Sequence, residues 1–380
     1  QLLWRHQRLV REGLRTLAGR PVVILHPGFW NREPGPDFLR AFLQFGDEPA
    51  RSGDVELDPV PGDWQSHGHG VNPRYRQVLL RVVWDTPSRE PEPGGPPILA
   101  LRPHLDAPWT ELEEWLAART PEDVPDPVRG RCEGPLRSLA PEQAAGVLAA
   151  AGRRRWRNKA ADFARRSRQV GPGQSLREGL FAALGYKHNV WPMRRLAELA
   201  REARFPSRDG SVLVWQARLF GLAGLLPAEP PRSAAAYVRQ LWDAWWREQA
   251  QLQPDRLPPE IWNFAGVRPA NHPHRRLALA AHWLAVEPGA DTLRDWLAQA
   301  TLPTAPASLL RRLQPRAEDA FWERHWTLGS AAFDRPQPLL GSSRLTDLAL
   351  NAVLPWLWAG AVEAGDEAAR QRVEDLLESW

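Results

Sequence analysis

Gly35-Pro36-Asp37-Phe38-Leu39-Arg40-Ala41-Phe42-Leu43-Gln44-Phe45-Gly46, followed closely by Ser52-Gly53-Asp54-Val55-Glu56-Leu57-Asp58-Pro59-Val60, is the stretch on which the fold turns. The apolar run from Phe38 stops at Gly46-Asp47, which predicts a strand beginning at or just after Asp37. In Ser52 to Val60, Val55 and Leu57 alternate with Asp54, Glu56 and Asp58, so a second strand is expected with its three acids leaning to one face. Toward the N-terminus, Val22-Val23-Ile24-Leu25 is a β-branched run ended by Pro27-Gly28, as a buried strand would be. Before it, Leu2, Leu3, Leu9, Val10, Leu14 and Leu17 fall close to a helical repeat that Gly19 and Pro21 stop. Toward the C-terminus, Asn72 suits an N-cap and Pro73 the first helical turn, predicting a short helix Pro73 to Val78 ahead of a strand Leu79 to Trp84. The order is therefore helix, strand, strand, strand, helix, strand. Ile98 to Leu101 is a candidate fifth strand after the Pro- and Glu-rich stretch Ser88 to Pro97.

From Pro108 onward helical spacing takes over. Helices are predicted over Glu111 to Arg119, Pro141 to Arg168, Ser175 to Leu184, Met193 to Arg204, Ser211 to Leu222, Ala234 to Leu252, His274 to Val286, Thr292 to Ala300 and Arg344 to Trp358. A chain of 380 residues exceeds the size at which one core usually stops growing, so two domains are expected: an α/β domain 1–115 and an α-helical domain 116–380. With 43% hydrophobic and 25% charged residues the composition is that of a globular protein rather than a disordered one.

No apolar run reads as long enough to cross a bilayer, and Gln1 to Arg11 lacks the apolar stretch of a signal peptide, so a cytoplasmic protein is expected, with no membrane partner. A single cysteine, Cys132, excludes an internal disulfide and a cysteine-rich zinc site, and it reads as a small, semi-buried side chain. The net charge of +4 is too small to force a polyanionic partner, so charge is better read locally.

Chemistry concentrates in the opening stretch. Asp37 at the head of one strand and Glu56 and Asp58 on the next put carboxylates on neighbouring strands, where they could share a cation. An oxygen-rich set of this kind suits Mg²⁺ or Mn²⁺, which activates a water and stabilises the charge building on a phosphodiester. Asp63-Trp64-Gln65-Ser66-His67-Gly68-His69-Gly70 follows. If its glycines keep it extended, His67 and His69 point the same way, toward a phosphate or metal; a polar surface loop with two solvated imidazoles carries equal weight.

The element order and the paired acids resemble the PD-(D/E)xK nuclease superfamily. That resemblance implies an α+β fold, with a restriction-endonuclease-like mixed sheet before the mainly α-helical C-terminal domain. His26-Pro27-Gly28, Asn31, Gly35-Pro36-Asp37-Phe38, Val55-Glu56, Asp63-Trp64, His67-Gly68-His69, Tyr75 and Val82-Val83 are similar to the bacterial family catalogued as domain of unknown function 2851. Downstream, Gly185-Tyr186-Lys187-His188-Asn189, Gly266-Val267-Arg268-Pro269-Ala270-Asn271-His272-Pro273 and Asn351-Ala352-Val353-Leu354-Pro355 extend the likeness over nearly the whole chain. The family resemblance implies no activity. This chain also departs from both patterns. Asp58 stands where the superfamily places a Lys and this family a His, Asn72 stands where the family has an Asp, and Arg81 replaces a strand-four His. Asp58 brings no positive charge but could add a metal ligand, while His67, His69 or Arg81 could substitute for the Lys.

Further along, Arg153, Arg154, Arg155, Arg157, Lys159, Arg165, Arg166 and Arg168 interleave with Trp156 and Phe163. On a helix these residues would form a phosphate-tracking cationic stripe, or equally a solvated face whose aromatics pack inward. Arg268, Asn271, Arg275 and Arg276 form a second polar cluster that could grip phosphates or, as is expected of Asn271, cap a helix. Lys187 and His188 fall in a turn between helices without an assigned role. Two functions from different classes follow. One is a Mg²⁺- or Mn²⁺-dependent nuclease with Asp37, Glu56 and Asp58 as ligands, His67 or His69 on substrate, and Arg81 and the basic segments on nucleic acid. The other is a degenerate nuclease fold that only binds nucleic acid or a protein.

Overall fold

The runs that alternate or saturate in apolar residues become one mixed sheet. After a single helical turn, α1 (Leu2–Arg5), come β1 (Val22–His26), β2 (Phe29–Trp30), β3 (Phe38–Phe45), β4 (Arg51–Asp58), β5 (Val78–Val83) and β6 (Ile98–Ala100). The order across the sheet is β1-β3-β4-β5-β6, with β2 also pairing β3. β1, β3 and β4 are joined antiparallel, whereas β4, β5 and β6 run parallel. A parallel pair needs a crossover; between β4 and β5 it contains α2 (Asp63–Ser66) and the 3₁₀ turn Pro73–Tyr75. This computed structural model describes residues 1–59, 63–86, 95–117, 134, 137–201, 210–229, 236–286, 289–315 and 319–380. The chain divides into two units, Gln1–Ser138 and Leu139–Trp380, and its fold class is α+β.

Two bulges aim the central strands. Phe38 pairs with Val55 but Ala41 with Gly53, so β3 holds one extra residue there. Within that bulge Arg40 takes the left-handed conformation, φ 55, and its amide donates to Asp54 at 3.0 Å. Asp54 pairs with Val78 and Val55 with Leu80, which makes Leu79 the extra residue of β5. Gly53 admits this approach, since a Cβ there would lie 2.4 Å from Leu79 Cγ and 2.7 Å from the Gln77 carbonyl. The core under the sheet includes Trp4, Ile24, Phe38, Leu43, Val55, Leu80 and Leu99, all at most 1% exposed. Each contributes about 1.5–3 kcal/mol of burial. α3 (Trp109–Ala117) adds Leu112 and Trp115.

Two expected helices shrink. The spacing over Leu2 to Leu17 yields only α1: Gln7 has φ 51, Leu9 bridges Leu105, and Arg15 bridges Pro21. Leu3, Trp4, Leu9 and Leu14 all reach the core, so the apolar spacing came from an irregular chain wrapped over it. Arg8, 1% exposed, is held in that wrap by Asp106 at 3.0 Å. The helix expected over Pro73 to Val78 is confined to Pro73–Tyr75 because Val78 is drawn into β5 opposite Asp54. Asn72 caps it, accepting from the Arg74 amide at 3.1 Å.

The second unit is helical: α4 (Pro141–Val170), α5 (Pro172–Leu184), α6 (Val190–Leu199), α7 (Val212–Leu222), α8 (Ala236–Leu252), α9 (Pro273–Ala285), α10 (Ala290–Gln299), α11 (Ala305–Leu313), α12 (Ser342–Leu348), α13 (Leu354–Ala364) and α14 (Glu367–Glu378). A π-helical turn, Ala349–Val353, joins α12 to α13. α4 packs on α5 and α13, α5 on α6, α7 on α8 and α9, and α13 on α14. α11 and α14 are additions to the sequence reading. Cys132 and the expected helix ends at Arg119, Arg204 and Ala234 lie outside the described residues. Contrary to the sequence reading, one segment, Ser342–Ala364, has the length and composition to cross a membrane, but 61% of its apolar window is buried inside the protein, as in a packed core helix.

Candidate active site

The sheet brings the singled-out acids together through strand register. Phe38 opposite Val55 sets Asp37 beside Glu56. The Asp37 amide donates to Glu56 Oε2 at 3.0 Å and the Leu57 amide donates back to Asp37 Oδ2 at 3.1 Å. The Gln1 amide group reaches Asp37 Oδ1 at 2.5 Å. Two residues along β4, Asp58 projects to the side Glu56 occupies, and both are buried. Arg81, opposite Glu56 on β5, donates from Nε to Asp58 Oδ2 at 3.0 Å, and each side chain of that pair is 3% exposed. The Arg81 guanidinium also lies 4.9 Å above the Trp64 ring.

The crossover completes the cluster. After α2 the chain turns at 67–70 rather than extending, with Gly68 at φ +67, so the two histidines part. His69 is buried, stacked on Tyr75 at 4.0 Å and edge-on to Trp64 at 5.4 Å. His67 stays exposed, its ring 5.4 Å from that of His69. His69 Nδ1 lies 3.7 Å from Glu56 Oε1, beyond hydrogen-bond reach, and is a buried nitrogen with no hydrogen-bond partner. Asp54, expected on the same face, instead holds the Arg40 amide.

Burial and crowding of like charges set the protonation. Glu56 is pushed up to about 8, first by burial and then by the Asp37 carboxylate. Asp37 is raised as well, chiefly by burial, with the Leu57 amide opposing. Burial lowers His69, which keeps the imidazole neutral, and raises Tyr75 with the help of Glu56, Asp37 and Asp58, which keeps its phenol protonated. One donor atom from each of Glu56, Asp58 and His69 lies within 4.8 Å of the others. That spread is close to the ~4.2 Å between trans ligands of an octahedral Mg²⁺.

The remaining residues divide by exposure. Arg153, Arg154, Arg155 and Arg157 are exposed on α4, while Trp156 is buried with its indole on the Leu350 carbonyl. Lys159 is half-buried, donates to Asn351 Oδ1 at 2.7 Å, and is lowered to about 8 by burial and then by Arg155. Arg166, 7% exposed, is held by both oxygens of Glu178 at 2.7 and 3.0 Å. Arg275, at 1% exposure, spends its donors on the carbonyls of Trp322, His325, Gln337 and Pro338, a structural clamp. Asn271 is not the cap of α9: His272 Nδ1 accepts from the His274 amide, and Asn271 Oδ1 accepts instead from Tyr186 and Arg276. Arg268 is exposed. Sequence reasoning gave Tyr75 and Trp64 no role at the site, although both stand in the run that carried the family resemblance. His26, from the same run, locks the β1–β2 turn by accepting from the Gly28 amide at 3.0 Å, and burial lowers it to about 4.

No curated protein and no solved structure matches the chain. A family model does, over residues 1–380, and the chain accordingly belongs to the family described as "Protein of unknown function (DUF2851)".

Proposed function

We propose that the first unit is a Mg²⁺- or Mn²⁺-dependent nuclease, a phosphodiesterase on a PD-(D/E)xK-like sheet, with Glu56, Asp58 and His69 holding the cation and Asp37 beside them. The observation that carries the reading is the joining of Asp37 and Glu56 across β3 and β4, beside a third carboxylate and an imidazole whose buried nitrogen lacks a partner. Three carboxylates face one guanidinium, and Glu56 is pushed up to about 8, first by burial and then by the Asp37 carboxylate beside it. A divalent cation would remove that imbalance. The mixed oxygen and imidazole set favours Mn²⁺ over Mg²⁺. When bound, the cation supplies an activated water and stabilises negative charge on the phosphate.

The chain's own residues supply the rest. Tyr75 stacks on His69 and fixes its ring. Arg81, drawn to Asp58, provides the positive charge that the superfamily takes from a Lys at Asp58's position. His67, at the exposed rim, is placed to meet substrate, and the exposed arginines of α4 offer a phosphate-tracking surface. The closure of the Arg81–Asp58 pair, 3% exposed on each side, also favours a second reading: a fold that has traded its catalytic cation for stability and only binds nucleic acid.

Cleavage of labelled single- and double-stranded DNA and RNA with Mn²⁺ or Mg²⁺ separates the two. The nuclease predicts cleavage abolished by Asp37→Asn and by Glu56→Gln. Salt-sensitive binding without cleavage, unchanged in both variants, establishes the binding module instead.

A further inference from the structure

The helical unit contains a cleft of opposite charge. The turn between α5 and α6 and the segment 266–273 before α9 enclose about 250 Å³, lined among others by Tyr186, Lys187, His188, Trp262, Arg268 and Arg276. Among the described residues, no carboxylate lines it. Ligand pockets run to about 300–1,000 Å³, so this one suits a small ligand or the end of a larger one.

Arg276 lines the cleft at 3% exposure. It donates to the Leu339 carbonyl at 2.9 Å, the Ala270 carbonyl at 2.5 Å and Asn271 Oδ1 at 2.8 Å, yet its Nε has no partner and no carboxylate pairs with it among the described residues. A buried charge is normally paired, as Arg166 is by both oxygens of Glu178; Arg275, the other buried guanidinium of α9, is instead held by four backbone carbonyls and is not among the cleft's lining residues. Lys187 and Arg268 are exposed at the same cleft, and among the described residues neither side chain makes a hydrogen bond or ion pair. Tyr186, which also lines the cleft, has φ 54; its hydroxyl donates to Asn271 Oδ1 and the Arg344 guanidinium lies 3.6 Å from its ring centre. Such left-handed strain in a non-glycine residue gathers at binding sites.

We propose that this cleft is a phosphate site that takes a phosphomonoester, with the phosphate on Lys187, Arg268 and Arg276 and the rest of the ligand against Trp262 and Met193. Three cations without a carboxylate match a dianion better than a single carboxylate ligand, and Arg presents the fork that phosphate accepts. The proposal rests on the second unit alone and stands or falls apart from the nuclease reading.

The test is calorimetric titration of the full chain at low salt with inorganic phosphate, a nucleoside 5′-monophosphate, and one oligonucleotide carrying either a 5′-phosphate or a 5′-hydroxyl. The mononucleotide is expected to bind, with Lys187→Ala and Arg268→Ala each weakening it about tenfold. Arg247→Ala, which removes an exposed charge elsewhere, leaves it unchanged. Tighter binding of the 5′-phosphorylated oligonucleotide, lost with the same variants, assigns the site to strand ends; no such preference assigns it to a free phosphorylated small molecule. Absence of phosphate and mononucleotide binding at millimolar concentration overturns the proposal. So does binding undiminished in the Lys187→Ala/Arg268→Ala double variant.

Discussion

On the sheet, Asp37, Glu56 and Asp58 set three carboxylates against the guanidinium of Arg81; in the helical unit, a cleft gathers Lys187, Arg268 and Arg276 with no carboxylate among the described residues of its wall. Between these extremes lie ordinary buried pairs, Arg166 with Glu178 and Arg8 with Asp106, in which the chain supplies both signs. On the two proposals made above, the contrast separates charges that hold the fold from charges that would meet a ligand. An ion pair closed on itself stabilises only the structure around it, whereas a buried surplus of one sign raises or lowers the pKa values within it and is relieved by an ion of the other sign.

The largest expected effect breaks the one closed pair in the acidic cluster. Arg81→Ala leaves Asp58 buried and alone, and should cost about 3–5 kcal/mol in urea unfolding at pH 7. A loss below about 1 kcal/mol would mean that Asp58 is not held by Arg81. Next comes the pH dependence of Glu56. Its native value, about 8, lies above the ordinary 4.5, so between those values the native state keeps a proton that the unfolded state has released. Stability should therefore fall as pH rises through that window and level off above it, by a few kcal/mol in total. Thermal melting of wild type and Glu56→Gln from pH 5 to 9 checks the sign: the variant should lose most of this slope and be the more stable of the two at pH 9. A wild-type curve that rises from pH 5 to 8 as steeply as the variant's would place the surplus charge elsewhere. The smallest effect belongs to the cationic cleft, where Lys187→Ala and Arg268→Ala should each change stability by no more than about 0.5 kcal/mol, because among the described residues neither exposed side chain holds a partner. Differential scanning calorimetry showing more than about 1 kcal/mol would make them structural.

How much of this was legible in sequence follows the same division. The strands were readable because Val22 to Leu25, Phe38 to Phe45 and Leu79 to Trp84 carry β-branched and aromatic runs, and a period of two placed Glu56 and Asp58 together. Register did the rest, and it lies beyond a local pattern: only the β3–β4 pairing puts Asp37 on Glu56, and only the β4–β5 pairing puts Arg81 on Asp58. The false helix over Leu2 to Leu17 shows the converse, since contacts such as Arg8 with Asp106 shaped that segment from 98 residues away. α11 was hidden by Pro303 and Pro306, and α14 by an apolar face that buries only Val373 and Leu376. His69 was legible as a residue but not in its place, because the turn at 67–70 buries it against Tyr75 while His67 stays exposed, and that stack is a tertiary contact. Arg268 and Lys187 were both visible, but the cleft that joins them is tertiary.

Calorimetric titration of the full chain with Mn²⁺ at pH 7, repeated in buffers of different ionisation enthalpy, is the most direct test that the acidic cluster is a cation site. Glu56, at about 8, is protonated at that pH, so one Mn²⁺ should bind with release of close to one proton. Glu56→Gln should lose both the binding and the release. Mn²⁺ binding with no proton released, or binding equally tight in Glu56→Gln, would contradict it.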